Sequence, residues 1–251
     1  MNIAVLRATT ISAVTLLGCS TSTDAAELRV LLEGAALGAY QQIAPQFERV
    51  SGHKLITQFD FGPSLINKVD AGEPFDAIFL VGDFEPLLTQ RKVSADSRVV
   101  LGRIGVGYAI PQGTPKPDIS SVDAVKRTLL DAKAIATSGP GASGRYVLTL
   151  LDRLGIADQV TPKIKPGPGG LAAQLLARHE VDFAVIGLPP VVGKPGVEWI
   201  GYLPAELQNW LPFTGGISAT AREAEAAGTL LRVFSTSVEV LKANGVEQPG
   251  P

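Results

Sequence analysis

Short apolar runs alternate along the chain with segments whose apolar residues recur at helical spacing. Leu28–Leu32 is predicted to be a buried strand, and Leu37–Val50 a helix with its apolar residues on one face. The alternation continues with a strand over Lys54–Phe61, a short helix over Leu65–Val69 and a strand over Phe75–Val81. Strands that alternate with helices in this way indicate an α/β fold with a parallel sheet.

The second half of the chain repeats the alternation. A strand over Arg103–Ile110 is predicted to leave the first unit, and a strand over Phe213–Ser218 to cross back, followed by an amphipathic tail over Arg222–Lys242. The elements predicted between the two crossings are a helix at Val122–Leu130, a strand at Ala134–Thr137, a helix opened by Arg145 and ended by Gly155, a helix at Leu171–His179 and a strand at Val181–Ile186. We therefore predict two α/β lobes with a ligand cleft between them, lobe 1 from residues 26–105 plus 213–251 and lobe 2 from residues 106–212.

The composition is that of a soluble globular protein, with 45% apolar and 18% charged residues and a net charge of −2. No cluster of basic residues indicates a nucleic-acid partner. Two histidines and one cysteine are too few for a His/Cys metal site. We expect a monomer that uses neither a metal nor a cofactor.

The N-terminus has the pattern of a secretory signal peptide, assigned to residues 1–25. Arg7 is its only charge, and Ala8–Gly18 is an apolar stretch too short to span a bilayer. Two cleavage sites fit: a lipobox-like sequence that would lipidate Cys19, and a small-x-small site at Thr23–Ala25 that would release a soluble chain. Both alternatives predict a periplasmic protein, and only the first predicts a lipid anchor.

Three loops that follow predicted strands carry glycine and lead into helices: Glu33–Ala36, Gly62–Ser64 and Ser138–Gly144. The carboxyl ends of parallel strands are where such folds bind ligands, and the free backbone amides of a helix start favour an anion. The predicted ligand-binding residues are Gly34, Ala35, Gly62, Ser64, Ser143, Gly144 and Arg145. Structural alternatives remain open, because Ser64 also suits a plain N-cap and Arg145 a surface pair with Asp152 or Glu180.

Three stretches carry a resemblance to known proteins: Ile43–Phe47, Ala71–Phe79, and Ser143–Tyr146 running into Leu151–Gly155. On these the chain resembles the periplasmic molybdate-binding protein family and its relatives among the solute-binding proteins of ABC importers. The resemblance implies a type II-like two-lobed clamp that closes on one small molecule and hands it to a permease. Relatives of this fold include an aconitate isomerase, which implies a second activity on the same clamp.

The sequence departs from that family where the oxyanion would be held. Two serines of the family's site correspond to Ala35 and Gly62, which offer no hydroxyl, and a tyrosine is replaced near Gly187 and Leu188. Arg145 remains, and a guanidinium favours a planar carboxylate held by two parallel hydrogen bonds. We therefore expect a small organic carboxylate rather than molybdate as the ligand.

Glu33 is the unexpected residue, because an acid at the mouth of the first strand opposes anion binding. Three interpretations stay open: an ion pair with a neighbouring cation, recognition of an ammonium or hydroxyl group on the ligand, or a general base for an isomerase. The sequence thus leaves two functions, capture of a carboxylate for an importer, which it favours, and a cofactor-independent proton-shift isomerase.

Overall fold

The computed structural model describes residues 25–167 and 169–248. Cys19 and all of the predicted signal peptide except Ala25 lie outside these residues. The strands are β1 (Glu27–Glu33), β2 (Lys54–Asp60), β3 (Ala77–Val81), β4 (Val99–Pro111), β5 (Ile135–Thr137), β6 (Ile164–Pro166), β7 (Phe183–Gly187), β8 (Val197–Tyr202) and β9 (Trp210–Ile217). The helices are α1 (Leu37–Ser51), α2 (Gly62–Asp70), α3 (Glu85–Thr89), α4 (Val122–Asp131), α5 (Ala142–Leu154), α6 (Ala157–Val160), α7 (Gly169–Ala177), α8 (Ala224–Thr236) and α9 (Val238–Ala243).

The strands form one sheet in the order β2-β1-β3-β9-β4-β7-β5-β6, with β8 paired to β4 on the side. Strands β1, β2 and β3 are parallel to one another, as are β5, β6 and β7. Each parallel group forms the sheet of one lobe. The predicted fold class is confirmed, but the sheet is mixed rather than parallel, because β4 and β9 run antiparallel to their neighbours.

Strand β4 connects the two lobes. Up to Gly105 it pairs with β9, and from Val106 onward it pairs with β7 and β8. The predicted strand Arg103–Ile110 is therefore the central part of a longer element. Strand β9 returns to lobe 1 and pairs with β3, from Val81 opposite Phe213 to Ala77 opposite Ile217.

The cores explain why these segments fold as predicted. Strand β3 is buried along its whole length, as is β7, which is why both read as continuous apolar runs. The buried face of α1 carries Tyr40, Ile43 and Phe47, and α8 packs Phe234 against the same cluster.

Helices α2 and α5 and the C-terminal tail differ from the sequence prediction. Helix α5 begins at Ala142, three residues before Arg145, and α2 begins at Gly62 rather than Leu65. The predicted tail helix is broken at Ser237, which separates α8 from α9. Glycine, proline and serine are weak helix formers, so propensity alone places the starts of α2 and α5 too late.

Candidate functional site

A cleft of about 470 Å³ lies between the lobes, at the carboxyl ends of the strands. Two of the three glycine-bearing loops, Glu33–Ala36 and Ser138–Gly144, contribute to it, together with Asp60 and Phe61 just before the third loop and the segment that follows β7. Its lining includes Glu33, Gly34, Ala35, Phe59, Asp60, Phe61, Ile104, Ser138, Ser143, Gly187, Lys194, Leu211 and Asn244. The strand ends thus meet where the rule for ligand sites in α/β folds places them.

Glu33 lines this cleft and is only 3% exposed. Its Oε2 accepts a hydrogen bond of 2.7 Å from the backbone amide of Val81, the last residue of β3. The backbone amides of Gly62 and Ala142, the first residues of α2 and α5, lie near this carboxylate and lower its pKa. Backbone amides of both lobes therefore surround Glu33, because Gly62 and Val81 belong to lobe 1 and Ala142 to lobe 2.

Burial raises the pKa of the Glu33 carboxyl from 4.5 to about 7. The Val81 amide, the positive charge of Arg145 and the amides of Gly62 and Ala142 act in the opposite direction but do not overcome the loss of hydration. Near neutral pH this side chain can therefore exist as an acid or as a base, which is the condition for general acid–base chemistry.

The local sequence explains why the first amide of α2 lies beside Glu33. Phe61 is extended and caps the helix, and Pro63 lies in the first turn, where proline is favoured. Gly62 lets the carboxylate approach closely, because a Cβ at this position would lie 3.0 Å from Oε2 of Glu33. A larger residue at Gly62 would press against the carboxylate.

The loop before α5 is held by its own serines. The Ser138 hydroxyl accepts a hydrogen bond of 2.8 Å from the Gly144 amide and lies 2.8 Å from the Ser143 hydroxyl. Gly144 fits because a Cβ there would lie 2.1 Å from the carbonyl oxygen of Gly139. Its amide is thus used inside the loop, so Gly144 shapes the loop, and a contact between Gly144 and a ligand stays a prediction.

Ser64 does not line the cleft. Its hydroxyl donates a hydrogen bond of 2.6 Å to Asp60, which also accepts from the Phe61 amide and pairs with Lys68 at 3.2 Å. These contacts, the Ser64 hydroxyl first, hold the pKa of Asp60 below its usual value. In this conformation the Ser64 hydroxyl orients a neighbouring carboxylate, and a contact between Ser64 and a ligand stays a prediction.

Arg145 also lies outside the lining of the cleft. Its guanidinium is exposed and donates a hydrogen bond of 2.6 Å to the carbonyl oxygen of Pro140, rather than pairing with Asp152 or Glu180. Its charge still reaches Glu33, whose pKa it lowers. A direct contact between Arg145 and a ligand therefore stays a prediction.

Several lining residues were not predicted from the sequence. Lys194 comes from the segment after β7 and brings a positive charge, and Ser138 is the serine that the loop prediction left without a role. Asn244 follows α9 and reaches the cleft from the end of the chain. The rule that strand ends line the cleft could have found Lys194, but Asn244 depends on how α9 packs.

Among the described residues, no group of three or more His, Cys, Asp or Glu side chains could hold a metal ion. Over the same part of the chain, no helix is long and apolar enough to cross a membrane.

The family model for bacterial extracellular solute-binding proteins matches residues 28–243. The chain belongs to this family. The match spans both lobes and the return of the chain to lobe 1, so membership concerns the whole clamp rather than one half.

The relatives of this chain include an isomerase and molybdate-binding proteins. Aconitate isomerase from a Pseudomonas species is 31% identical over 216 residues, covering 83% of this chain and 82% of the relative. The molybdate-binding protein of Escherichia coli strain K12 is 23% identical over 192 residues, covering 73% and 74%. Among solved structures, the periplasmic molybdate-binding protein of Azotobacter vinelandii matches with a TM-score of 0.73 and 21% identity, covering 89% of this chain and 100% of that one.

Proposed function

We propose that the protein captures a small organic carboxylate in the cleft between its lobes and delivers it to an ABC permease in the periplasm. The observation that carries this proposal is the cleft itself, which has room for an organic molecule and a lining that is mainly apolar. Pockets for small organic ligands have volumes of roughly 300–1,000 Å³, and this one measures about 470 Å³.

The polar groups of the cleft suit a carboxylate at its edge. Lys194 supplies a positive charge and the Ser143 hydroxyl a donor. Phe59, Phe61 and Leu211 offer apolar surface for a carbon skeleton, which an inorganic oxyanion lacks. This combination favours an organic acid over a tetrahedral anion.

Glu33 is compatible with such a ligand when it is protonated. Its pKa of about 7 makes the neutral form accessible near neutral pH. A neutral carboxyl can donate a hydrogen bond to a ligand carboxylate, whereas the ionised form repels it. We therefore expect carboxylates to bind more tightly at pH 6 than at pH 8.

A ligand panel tests this proposal. The wild-type protein is melted with succinate, citrate, cis- and trans-aconitate, sulfate and molybdate, with glucose as the uncharged control. A ligand at 100 times its Kd stabilises the folded state by about 2.7 kcal/mol, enough for a clear rise in melting temperature. A rise with organic acids only, followed by calorimetry, supports the proposal, and no rise with any of them contradicts it.

The Lys194→Met variant tests the assigned cleft. It should weaken carboxylate binding by about 1.5–3 kcal/mol, the range for a hydrogen bond to a charged group. Lys133→Met is the matched control, because Lys133 precedes β5 at the opposite end of that strand from Ser138. Equal affinities in the two variants would place the ligand elsewhere.

An isomerase is the second candidate, and the buried Glu33 is the observation that favours it. Glu33 would take a proton from the methylene carbon of an unsaturated tricarboxylate, the double bond would shift, and the proton would return at the former vinyl carbon. This reaction needs no oxidant or reductant. A base with a pKa of about 7 in a closed cleft meets its requirement, and the 31% identity to an aconitate isomerase agrees with it.

A further inference from the structure

The three backbone amides around Glu33 form a site for an anion that the protein fills with its own side chain. They come from three separate elements, the end of β3 and the starts of α2 and α5: the Val81 amide donates a hydrogen bond of 2.7 Å to the carboxylate, and those of Gly62 and Ala142 lie near it and lower its pKa. Both helices are long enough to contribute a dipole, with 9 and 13 residues. Only the backbone supplies these donors, so they do not depend on the serines that the chain lacks at Ala35 and Gly62.

We infer that Glu33 is a specificity-determining residue that acts as a tethered anion and keeps a latent oxyanion site closed to free anions. An incoming oxyanion would have to displace a carboxylate that the Val81 amide holds and that two helix starts surround, and would meet its negative charge when Glu33 is ionised. Buried charges that lose their partners are costly, so this exchange is unfavourable. An anionic group of the ligand is thereby kept off these amides and directed to Ser143 and Lys194, while Glu33 itself still lines the cleft.

The inference predicts a gain of function when the tether is removed. Glu33→Ala deletes the carboxylate and leaves the amides of Gly62, Val81 and Ala142 facing a hole of carboxylate size. Buried amides without partners favour any acceptor that can reach them. Molybdate, sulfate and acetate should therefore bind to this variant.

The surrounding charges do not favour the anion by themselves. Asp60 also lines the cleft, and its negative charge opposes a free anion there, whereas Lys194 and the more distant Arg145 favour one. The three amides are the donors that the deletion releases. The expected gain is therefore specific to position 33 and not a general result of a lower negative charge.

The experiment compares four proteins, the wild type, Glu33→Ala, Glu33→Gln and Asp83→Asn, with molybdate, sulfate and acetate by melting and calorimetry. Glu33→Gln keeps the space filled with a neutral side chain. Asp83→Asn removes the same charge two residues after Val81 while keeping an oxygen that can accept from the Glu85 amide. We expect affinity for at least one of the three anions to rise tenfold or more in Glu33→Ala alone, and a similar rise in Asp83→Asn would overturn the inference.

If Glu33→Ala does not fold, NMR spectroscopy still tests the inference on the wild type and Glu33→Gln, because a side chain fills the site in both. In NMR spectra of the wild type and Glu33→Gln, the amide signals of Gly62, Val81 and Ala142 should be among those that change most, because Val81 bonds the exchanged group and the other two amides lie beside it. Unchanged signals for Gly62 and Ala142 would overturn the inference.

The inference rests on the proposed function only in taking this cleft as the ligand site. The two fail separately, because organic acids are tested on the wild type and inorganic anions on the variant. If the wild type binds citrate or aconitate and Glu33→Ala gains no anion, carboxylate capture stands and the tethered-anion inference falls. If the wild type binds no organic acid but Glu33→Ala binds molybdate, the tethered-anion inference stands and carboxylate capture falls.

Discussion

The Oε2 atom of Glu33 lies 2.7 Å from the backbone nitrogen of Val81, although the two residues are 48 positions apart. The parallel pairing of β1 with β3 explains this contact, since Leu32 is opposite Phe79 and both strands end at the same edge of the sheet. The carboxylate thus bonds the neighbouring strand end, while its remaining acceptor capacity faces two helix starts.

The first prediction concerns stability and pH. The pKa of Glu33 is about 7 in the folded protein and 4.5 when exposed, so the folded state holds a proton that the unfolded state has lost between these values. The associated stability is fully present below pH 4.5 and is lost as pH rises through 7. We expect the free energy of unfolding of the wild type to fall by about 2 kcal/mol relative to Glu33→Gln between pH 5 and pH 8.

Urea unfolding of both proteins at pH 5, 6, 7 and 8 measures this difference. Because the two proteins differ only at position 33, the contributions of all other titrating groups cancel. The same pH dependence of the free energy of unfolding in both would show that Glu33 has an ordinary pKa. A difference of the opposite sign would show that the three amides outweigh burial.

The second prediction concerns Arg145, whose charge lowers the pKa of Glu33 from outside the cleft. In the wild type the free energy of unfolding falls as pH rises through the pKa of Glu33. Arg145→Ala should move this pH transition to higher pH, and Arg145→Lys should largely preserve it. If Arg145 also holds the ligand, as the sequence suggests, the Ala variant should lose about 1.5–3 kcal/mol of carboxylate affinity. The Lys variant should then regain only part of it, because an ammonium cannot form two parallel hydrogen bonds.

Calorimetry at one pH and unfolding across pH separate these two roles of Arg145. A changed pH transition with unchanged affinity would assign it to electrostatic tuning alone. If neither the pH transition nor the affinity changes, the hydrogen bond to Pro140 is the only role left for Arg145.

The sequence predicted the elements around the site better than the contacts inside it. The three loops could be placed because glycines follow apolar runs, and Gly155 ends α5 with a positive φ of 65°, as a helix-stopping glycine should. The partners of Glu33 could not be predicted, since they depend on the register of β1 against β3 and on how closely Ala142 of lobe 2 approaches lobe 1. The position of Arg145 was missed for a related reason: α5 starts at Ala142, which turns the guanidinium toward Pro140.

The third prediction concerns closure of the clamp. The Glu33 carboxylate bonds the Val81 amide of lobe 1 and lies near the Ala142 amide of lobe 2, so Glu33→Ala should weaken the closed conformation and raise the radius of gyration in small-angle scattering. Hinge closure around a ligand is the usual motion of such clamps. Adding acetate or molybdate to the variant should reverse the expansion, and Asp83→Asn should match the wild type. An unexpanded Glu33→Ala would show that other contacts between the lobes suffice.

The fourth prediction tests the loop before α5. A Cβ at Gly144 would lie 2.1 Å from the Gly139 carbonyl oxygen, so Gly144→Ala must distort the loop and should cost about 1–3 kcal/mol of stability. Gly34→Ala is the control, because nothing lies within 4 Å of its added Cβ. Thermal unfolding measures both, and equal losses would show that the loop can move aside at little cost.

The last prediction separates capture from catalysis, and it rests on Glu33→Gln. Glutamine keeps the size of the side chain and can donate a hydrogen bond, but it cannot take up a proton. If the protein only binds, the variant should hold carboxylates as tightly as the wild type or more tightly, because one negative charge has left the cleft. Its affinity should also vary less between pH 6 and pH 8, since the group that titrates near 7 has been removed.

If the protein is an isomerase, the same substitution should spare binding and lower the turnover of trans-aconitate by about 10²–10⁴-fold, the usual contribution of a general base. Proton NMR in deuterated water follows both the isomerisation and the exchange of a substrate C–H proton, without a coupled assay. Asp83→Asn is the control for the lost charge and should retain any activity of the wild type. A wild type that binds aconitate but shows neither isomerisation nor exchange leaves carboxylate capture as its function, whereas exchange that disappears in Glu33→Gln alone assigns the base to this residue.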